Sequence, residues 1–285
     1  MKNEFNYTLL DTGDGKKLER FGQYRLIRPE PQAMWHPALS EKEWNGADGV
    51  FQSGSEEGAG RWKLNRPLPS RWIVKYEDIQ FFVAPTAFRH LGIFPEYAMH
   101  WDWMREAIGK AAHPISMLNL FGYTGISSLV AARAGAHVTH IDASKKIVAW
   151  ARENQNISGL DEKPIRWIVD DALAFVRREV KRGKNYDAIL IDPPKFGRGP
   201  KGEVWKLHES LPVLLDECKK LLSERPLFII LSAYAVRVSA ASLGYLLDDM
   251  FSGKGGAFET GEIMLVEQSR GRLLAQGAFA RWKIL

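Results

Sequence analysis

The most specific chemical signal in this 285-residue chain is Asp192-Pro193-Pro194-Lys195-Phe196-Gly197. Two consecutive prolines remove two N–H donors and stiffen the backbone, so the Asp192 carboxylate and the carbonyls around Pro193 stand together as acceptors. Such a group suits a planar, amino-bearing substrate, with Phe196 available to stack on it. Three other segments also end an apolar run on Gly or Asp. Leu118-Asn119-Leu120-Phe121-Gly122-Tyr123-Thr124-Gly125 enters a turn whose glycines let backbone approach a ligand, and the helix that follows offers free N–H groups to an anion. The spacing is not G-x-G-x-x-G, which weighs against a nicotinamide dinucleotide. Asp142 closes the run from His137, where a carboxylate accepts hydrogen bonds from ribose hydroxyls. Its competing task is at the start of the next helix, beside Ser144. Asp170-Asp171-Ala172 offers one carboxylate to the exocyclic amine of an adenine and one to a helix cap, with Asp171 preferred for the cofactor.

These residues need elements that carry them to one place. Apolar runs at Ile115–Phe121, His137–Asp142, Ile165–Val169, Ala188–Asp192 and Leu227–Ser232 predict strands. Amphipathic stretches at Gly125–Ala134, Ser144–Ser158, Ala172–Arg182, Val204–Leu222 and Ser239–Phe251 predict helices, the fourth kinked or restarted at Pro212. Strands and helices in alternation imply an α/β fold, with a mostly parallel sheet, helices on both faces and ligands beyond the carboxyl ends of the strands. A helix over Tyr97–Ala112 precedes this series. A terminal antiparallel strand pair, Phe258–Gln268 and Ala278–Ile284, follows it. Before it, short extended runs at Tyr24–Arg28, Trp72–Tyr76 and Ile79–Ala84 predict a small β-rich region, with Asn45–Gly60 as a surface loop. The expected organisation is a β-rich region over 1–90 and a cofactor domain over 91–285.

Composition sets outer limits. Lys and Arg number 39 against 34 Asp and Glu, a net +5 that permits an anionic partner without demonstrating one. Six of the ten tryptophans fall in the first 103 residues, in line with two regions of different character. No apolar run approaches a membrane span, and one cysteine cannot form an intramolecular disulfide, so a cytoplasmic location is the default. The seven histidines lack metal-ligand spacing, so no metal is expected. Cys218 shares a helix face with Leu214, Leu215, Leu221 and Leu222 and reads as core. The run Lys195, Arg198 and Lys201 suits a nucleic-acid backbone or an ordinary solvated loop equally well.

The four strand ends together resemble the class I S-adenosylmethionine-dependent methyltransferases, which have a Rossmann-like fold. They are most similar to the branch of large-subunit ribosomal RNA methyltransferases with an L-N-x-F-x-Y-T-G turn and a D-P-P-x-F motif. The resemblance covers roughly residues 88 to 285. It implies S-adenosyl-L-methionine as cofactor, with its methionine part held by Asn119, Phe121, Gly122, Tyr123, Thr124 and Gly125. It further implies that Asp142, Ala143 and Ser144 hold the ribose and Asp171 and Ala172 the adenine, with Asp192 beside them. Phe94, Pro95 and Glu96, within Gly92–Glu96, look similar to a family segment that closes over the cofactor. The catalytic residues it implies are Asp192, Pro193, Pro194 and Phe196, acting on a base nitrogen in RNA. Relatives that methylate cytosine C5 carry a nucleophilic Cys just after the fifth strand. Leu231-Ser232-Ala233-Tyr234 stands there instead, so direct transfer is expected. Methylation of a protein or small molecule, and an RNA-binding module without turnover, are the alternatives.

Overall fold

The computed structural model describes residues 4–54, 59–234, 236–251 and 255–284. The chain forms two compact units, one of residues 1–96 with 264–275 and one of 97–263 with 276–285.

In the first unit, β1 (Tyr7–Gly13), β2 (Lys16–Phe21), β3 (Tyr24–Pro29), β4 (Gly49–Ser53) and β5 (Gly60–Leu64) form a five-stranded sheet in sequence order. The short helix α1 (Glu41–Asn45) precedes β4 and starts on a capping box made by Ser40 and Glu43. A separate hairpin pairs β6 (Trp72–Tyr76) with β7 (Ile79–Val83). The loop expected over Asn45–Gly60 contains a strand at its centre: Val50 and Phe51 of β4 pair with Lys63 and Trp62, and 55–58 lie outside the described residues. Its glycines hid a strand whose partner is also glycine-flanked. Inside this unit, Glu19 is fully buried and accepts from Arg28 Nε and Nη2 at 2.6 and 2.7 Å and from the Tyr7 hydroxyl at 2.8 Å. Burial alone would raise the Glu19 carboxyl, but the Arg28 guanidinium reverses this and holds it below the usual range.

The second unit begins with α2 (Ala98–Gly109) and continues through β8 (Ser116–Leu120), α3 (Ile126–Arg133), β9 (His137–Asp142), α4 (Lys145–Ile157), β10 (Ile165–Val169) and α5 (Ala172–Lys181). Next come β11 (Ala188–Ile191), β12 (Phe196–Arg198), β13 (Val204–Lys206), α6 (Leu207–Lys219), β14 (Phe228–Ala233), α7 (Ala240–Phe251), β15 (Ala257–Val266) and β16 (Leu273–Lys283), the end of β15 and the start of β16 being counted with the first unit. Seven strands form one sheet in the order β10-β9-β8-β11-β14-β16-β15, parallel from β10 to β14, with β16 antiparallel to β14. The helices α2, α3 and α4 contact one another, as do α5, α6 and α7, which gives the sheet two helical groups. Every residue of β11 and β14 is buried, as continuous apolar runs in a parallel sheet require. In α5 the buried Ala172, Phe175, Val176 and Glu179 recur at helical spacing and make one inward stripe.

The helix expected over Val204–Leu222 differs most from expectation. Residues 204–206 form β13, and α6 starts only at Leu207. Pro212 forfeits one bond to the preceding turn without ending the helix, because Leu211, Leu214, Leu215 and Cys218 bury its inward face. Cys218 is fully buried, which pushes its thiol up and keeps it unreactive. No helix among the described residues is long and apolar enough to cross a membrane.

Candidate active site

The chain leaves β8 for β9 on one side and returns to β11 on the other, so β8 and β11 flank the point where strand order reverses. Register then fixes the neighbours. Ile191 pairs with Leu120 on one side and Leu231 on the other, so the next residues along the three parallel strands are Asp192, Phe121 and Ser232. The first segment and the Asp-Pro-Pro motif, which are about 70 residues apart in sequence, meet at one edge by this mechanism alone.

Backbone geometry makes the turn after β8 unusual. Phe121 and Tyr123 adopt φ of 58° and 51°, and Gly125 follows at 84°. Left-handed backbone at two bulky residues is unfavourable, and is typically held where main-chain groups must face a ligand. Tyr123 donates its N–H to Asp142 Oδ2 at 3.0 Å, the Thr124 carbonyl accepts from Asn154 Nδ2 at 2.9 Å, and no side chain caps the start of α3. Both glycines also answer to packing. A Cβ on Gly122 would lie 2.3 Å from His140 Cε1, and one on Gly125 would lie 2.9 Å from Trp167 Cη2. Asn119 has been turned inward: its amide donates to Ser128 Oγ at 2.8 Å, and Ser128 meets His140 Nδ1 at 3.0 Å. These bonds tie the end of β8 to α3 and to β9. Burial lowers the His140 pKa to about 3, so the ring is neutral.

Asp142 is half-buried, and its two oxygens are held by the N–H groups of Tyr123 and Ser144, the latter at 2.9 Å. Burial raises its pKa and these two hydrogen bonds oppose the rise. The clamp leaves lone pairs on both oxygens for ligand hydroxyls, while Ala143 and Ser144 lead into α4, which Ser144 caps. Asp170 and Asp171 differ in their protein partners. Asp171 Oδ1 caps α5 through the Ala174 N–H at 2.8 Å and leaves Oδ2 without a protein partner among the described residues. Asp170 is paired with Arg178. Ala172, the first residue of α5, is buried. Phe94, Pro95 and Glu96 belong to the first unit, with Pro95 opening a short turn of 3-10 helix and Glu96 pushed up by burial.

Around Asp192 the structure adds two residues that motif spacing did not reveal. Ser232 Oγ donates to Asp192 Oδ1 at 2.6 Å, and the Tyr97 hydroxyl lies within hydrogen-bond reach of both Ser232 Oγ and the Asp192 carboxylate. Two hydroxyls, each with one proton, therefore serve one carboxylate, and the three groups form a small network in place of a single file. Burial, and then the charge of Asp192, hold the Tyr97 phenol well above its ordinary pKa, so it remains a donor. Of the neighbouring carbonyls, Pro194 O accepts from the Trp205 indole at 2.7 Å and Lys195 O from the Leu207 N–H at 3.1 Å. The Pro193 carbonyl has no partner among the described residues. Phe196 is 55% exposed, and the Trp205 ring packs on Phe121 with centroids 4.7 Å apart. Trp101, whose indole donates to Ser127, and Trp103, edge-on to Phe228, serve packing. Among the described residues, no group of three or more His, Cys, Asp or Glu is placed to hold a metal ion. A cavity of about 410 Å³ between α6, α7 and Arg237-Val238, which precede α7, is lined by none of these residues.

A mostly parallel sheet with a strained Gly turn, a clamped strand-end carboxylate and an Asp-Pro-Pro segment at its switch point defines a class I methyltransferase. The SAM-dependent methyltransferase from Agrobacterium tumefaciens is 45% identical, with a TM-score of 0.94 over 98% of this chain and 90% of that one. This chain belongs to the S-adenosylmethionine-dependent methyltransferases. The family profile described as Conserved hypothetical protein 95 matches residues 100–211. Ribosomal RNA large subunit methyltransferase K/L of Shewanella baltica is 32% identical over 146 residues, half of this chain and 20% of that protein. Ribosomal RNA large subunit methyltransferase K of Neisseria meningitidis is 23% identical over 225 residues, 74% of this chain and 61% of that protein. The chain thus spans between a fifth and three-fifths of the length of these curated relatives.

Proposed function

We propose that this protein methylates a base nitrogen in RNA, with ribosomal RNA as the substrate, using S-adenosyl-L-methionine. The observation that carries the reading is the juxtaposition of Asp192-Pro193 with the Phe121–Gly125 turn across the β8–β11 register. When bound, the cofactor supplies an electrophilic methyl group with a neutral thioether as leaving group, so the protein's main task is alignment. The residues present fit it. The uncapped start of α3 and the left-handed turn suit the methionine part, the clamped Asp142 with Ala143 and Ser144 the ribose, and Asp171 Oδ2 with Ala172 the adenine. Asn119 contributes by bracing the turn, and Phe94, Pro95 and Glu96 are assigned to the cofactor on family resemblance. Asp192 and the Pro193 carbonyl accept from the substrate amino group and turn its lone pair to the methyl carbon. Pro194 stiffens the motif, and Phe196 offers its exposed ring to the base. The reading keeps a β-rich region at the N-terminus and a cofactor domain after it, with the expected boundary at 90/91 moved to 96/97 and 264–275 counted with the β-rich unit, and it fits a cytoplasmic location, where ribosomal RNA is a substrate. Similarity to two ribosomal RNA methyltransferases supports the substrate class.

The test is incubation of RNA and protein fractions with methyl-labelled cofactor, followed by mass analysis of RNA digests. Label on an RNA base nitrogen, lost in Asp192→Ala while cofactor binding persists, is the expected result. Label confined to protein would overturn the substrate.

A further inference from the structure

Immediately after the Asp-Pro-Pro motif, the chain makes a small hairpin in which Phe196 pairs with Lys206, Gly197 with Trp205 and Arg198 with Val204. Strand alternation sorts these residues onto two faces. Trp205 and Gly197 point inward, and Trp205, 3% exposed, pins the hairpin to the Pro194 carbonyl and to the Phe121 ring. Phe196, Arg198, Val204 and Lys206 therefore share the outward face. Phe196 and Val204, at diagonal positions of the pair, are 55% and 52% exposed.

The charges on this hairpin are one-sided. Residues 195–206 carry Lys195, Arg198, Lys201 and Lys206 against the single carboxylate of Glu203. That carboxylate is turned back onto the tip, where it accepts the Lys201 N–H at 2.8 Å. Lys206 meets Glu209 at 3.0 Å, but both are more than half exposed, so the pair is weak and exchangeable for a phosphate. Arg198 and Lys206 occupy diagonal positions on the outward face, about 7–8 Å apart at the backbone. An aromatic ring and an aliphatic neighbour between two cations combine base stacking with backbone neutralisation, the two terms by which single-stranded nucleic acid is held.

We propose that the outward face of this hairpin is the platform that grips single-stranded RNA beside the target nucleotide, with Arg198 and Lys206 on phosphates and Val204 beneath a flanking base. This rests on the RNA reading above and extends it from the reacting base to the flanking strand. Because Trp205 ties the hairpin to both the motif and the cofactor turn, the strand it holds is delivered in fixed register with Asp192.

The test is fluorescence anisotropy with a labelled 20-nucleotide single-stranded RNA of mixed sequence, over a salt series. The proteins compared are the unaltered chain, Arg198→Ala/Lys206→Ala and the exposed-site variant Val204→Asp. Each lost phosphate contact removes about 0.7 from the slope of log affinity against log salt, so the double variant loses about 1.4. Its affinity at low salt falls about tenfold or more, Val204→Asp falls in the same direction, and both bind S-adenosylmethionine as before. If the unaltered chain binds this RNA salt-dependently and both variants do so equally well, the platform is refuted and the RNA reading survives. If the unaltered chain shows no salt-dependent RNA binding, both fall.

Discussion

Removal of the Ser232 hydroxyl tests whether the buried chain from Tyr97 to Asp192 positions the reactive carboxylate. Ser232 is 1% exposed and donates to Asp192 Oδ1 at 2.6 Å, so Ser232→Ala leaves that oxygen without this donor in a site poorly reached by water. A hydrogen bond to a charged group contributes about 1.5–3 kcal/mol. Asp192 is then free to rotate or to draw in solvent. If the loss appears wholly in the orientation of the substrate amino group, then about 1.4 kcal/mol per tenfold puts the fall in kcat at roughly tenfold to 150-fold. The cofactor turn and Asp142 are untouched, so the cofactor Kd and the KM for RNA stay within about threefold. Single-turnover transfer of labelled methyl to RNA, with calorimetric titration of the cofactor, separates these quantities. Ser232→Thr, which keeps a hydroxyl, restores part of the rate, and Tyr97→Phe, which removes the phenol's own bond to Asp192 but keeps the one from Ser232, lowers the rate as well. Full kcat in Ser232→Ala alongside an inactive Asp192→Ala would refute positioning and reduce the chain to packing.

Other consequences follow from single contacts. Asp142→Ala removes both clamped acceptors and is expected to weaken cofactor binding about tenfold to a hundredfold by calorimetry; unchanged affinity would remove Asp142 from the ribose site. Gly122→Ala forces a Cβ to 2.3 Å from His140 and is expected to destabilise the fold by about 1–3 kcal/mol in urea unfolding. Asp171→Ala loses the α5 cap, about 1 kcal/mol of stability, and weakens cofactor binding as well; a stability loss alone would leave Asp171 as a cap only. His100 and His140 are buried with pKa values lowered to about 3, chiefly by burial, so the unfolded chain binds more protons between about pH 3 and 6.5. Stability is therefore complete above about pH 6.5 and falls with acidification, by about 2 kcal/mol per histidine at pH 5. Urea midpoints at pH 8 and 5 measure it, and a pH-independent midpoint would contradict two neutral buried rings.

How much was legible in the sequence divides along physical lines. Strand ends stood out because apolar runs such as Ala188–Ile191 stop at residues that cannot continue them, and a parallel sheet collects such ends on one side. Ser232 and Tyr97 left no local mark. A serine in an apolar strand and a tyrosine before a helix are ordinary, and their meaning arises only when β14 takes its place beside β11 with Ile191 opposite Leu231. Asn119 carries a second contact of the same hidden kind: its amide donates to Ser128 in α3, a partner that only the packing of α3 on β8 reveals. The hairpin after Asp192 was hidden by length: Val204-Trp205-Lys206 is too short to show a period of two, and it abuts a helix whose apolar spacing absorbs it. That same hairpin turns the ambiguous cations of the sequence into an argument. Lys195, Arg198 and Lys201 alone fit a solvated loop, but a strand pair pinned by Trp205 presents Arg198 with Lys206, Phe196 and Val204 on one face. A solvated loop has no need to hold two large apolar side chains in water between its charges.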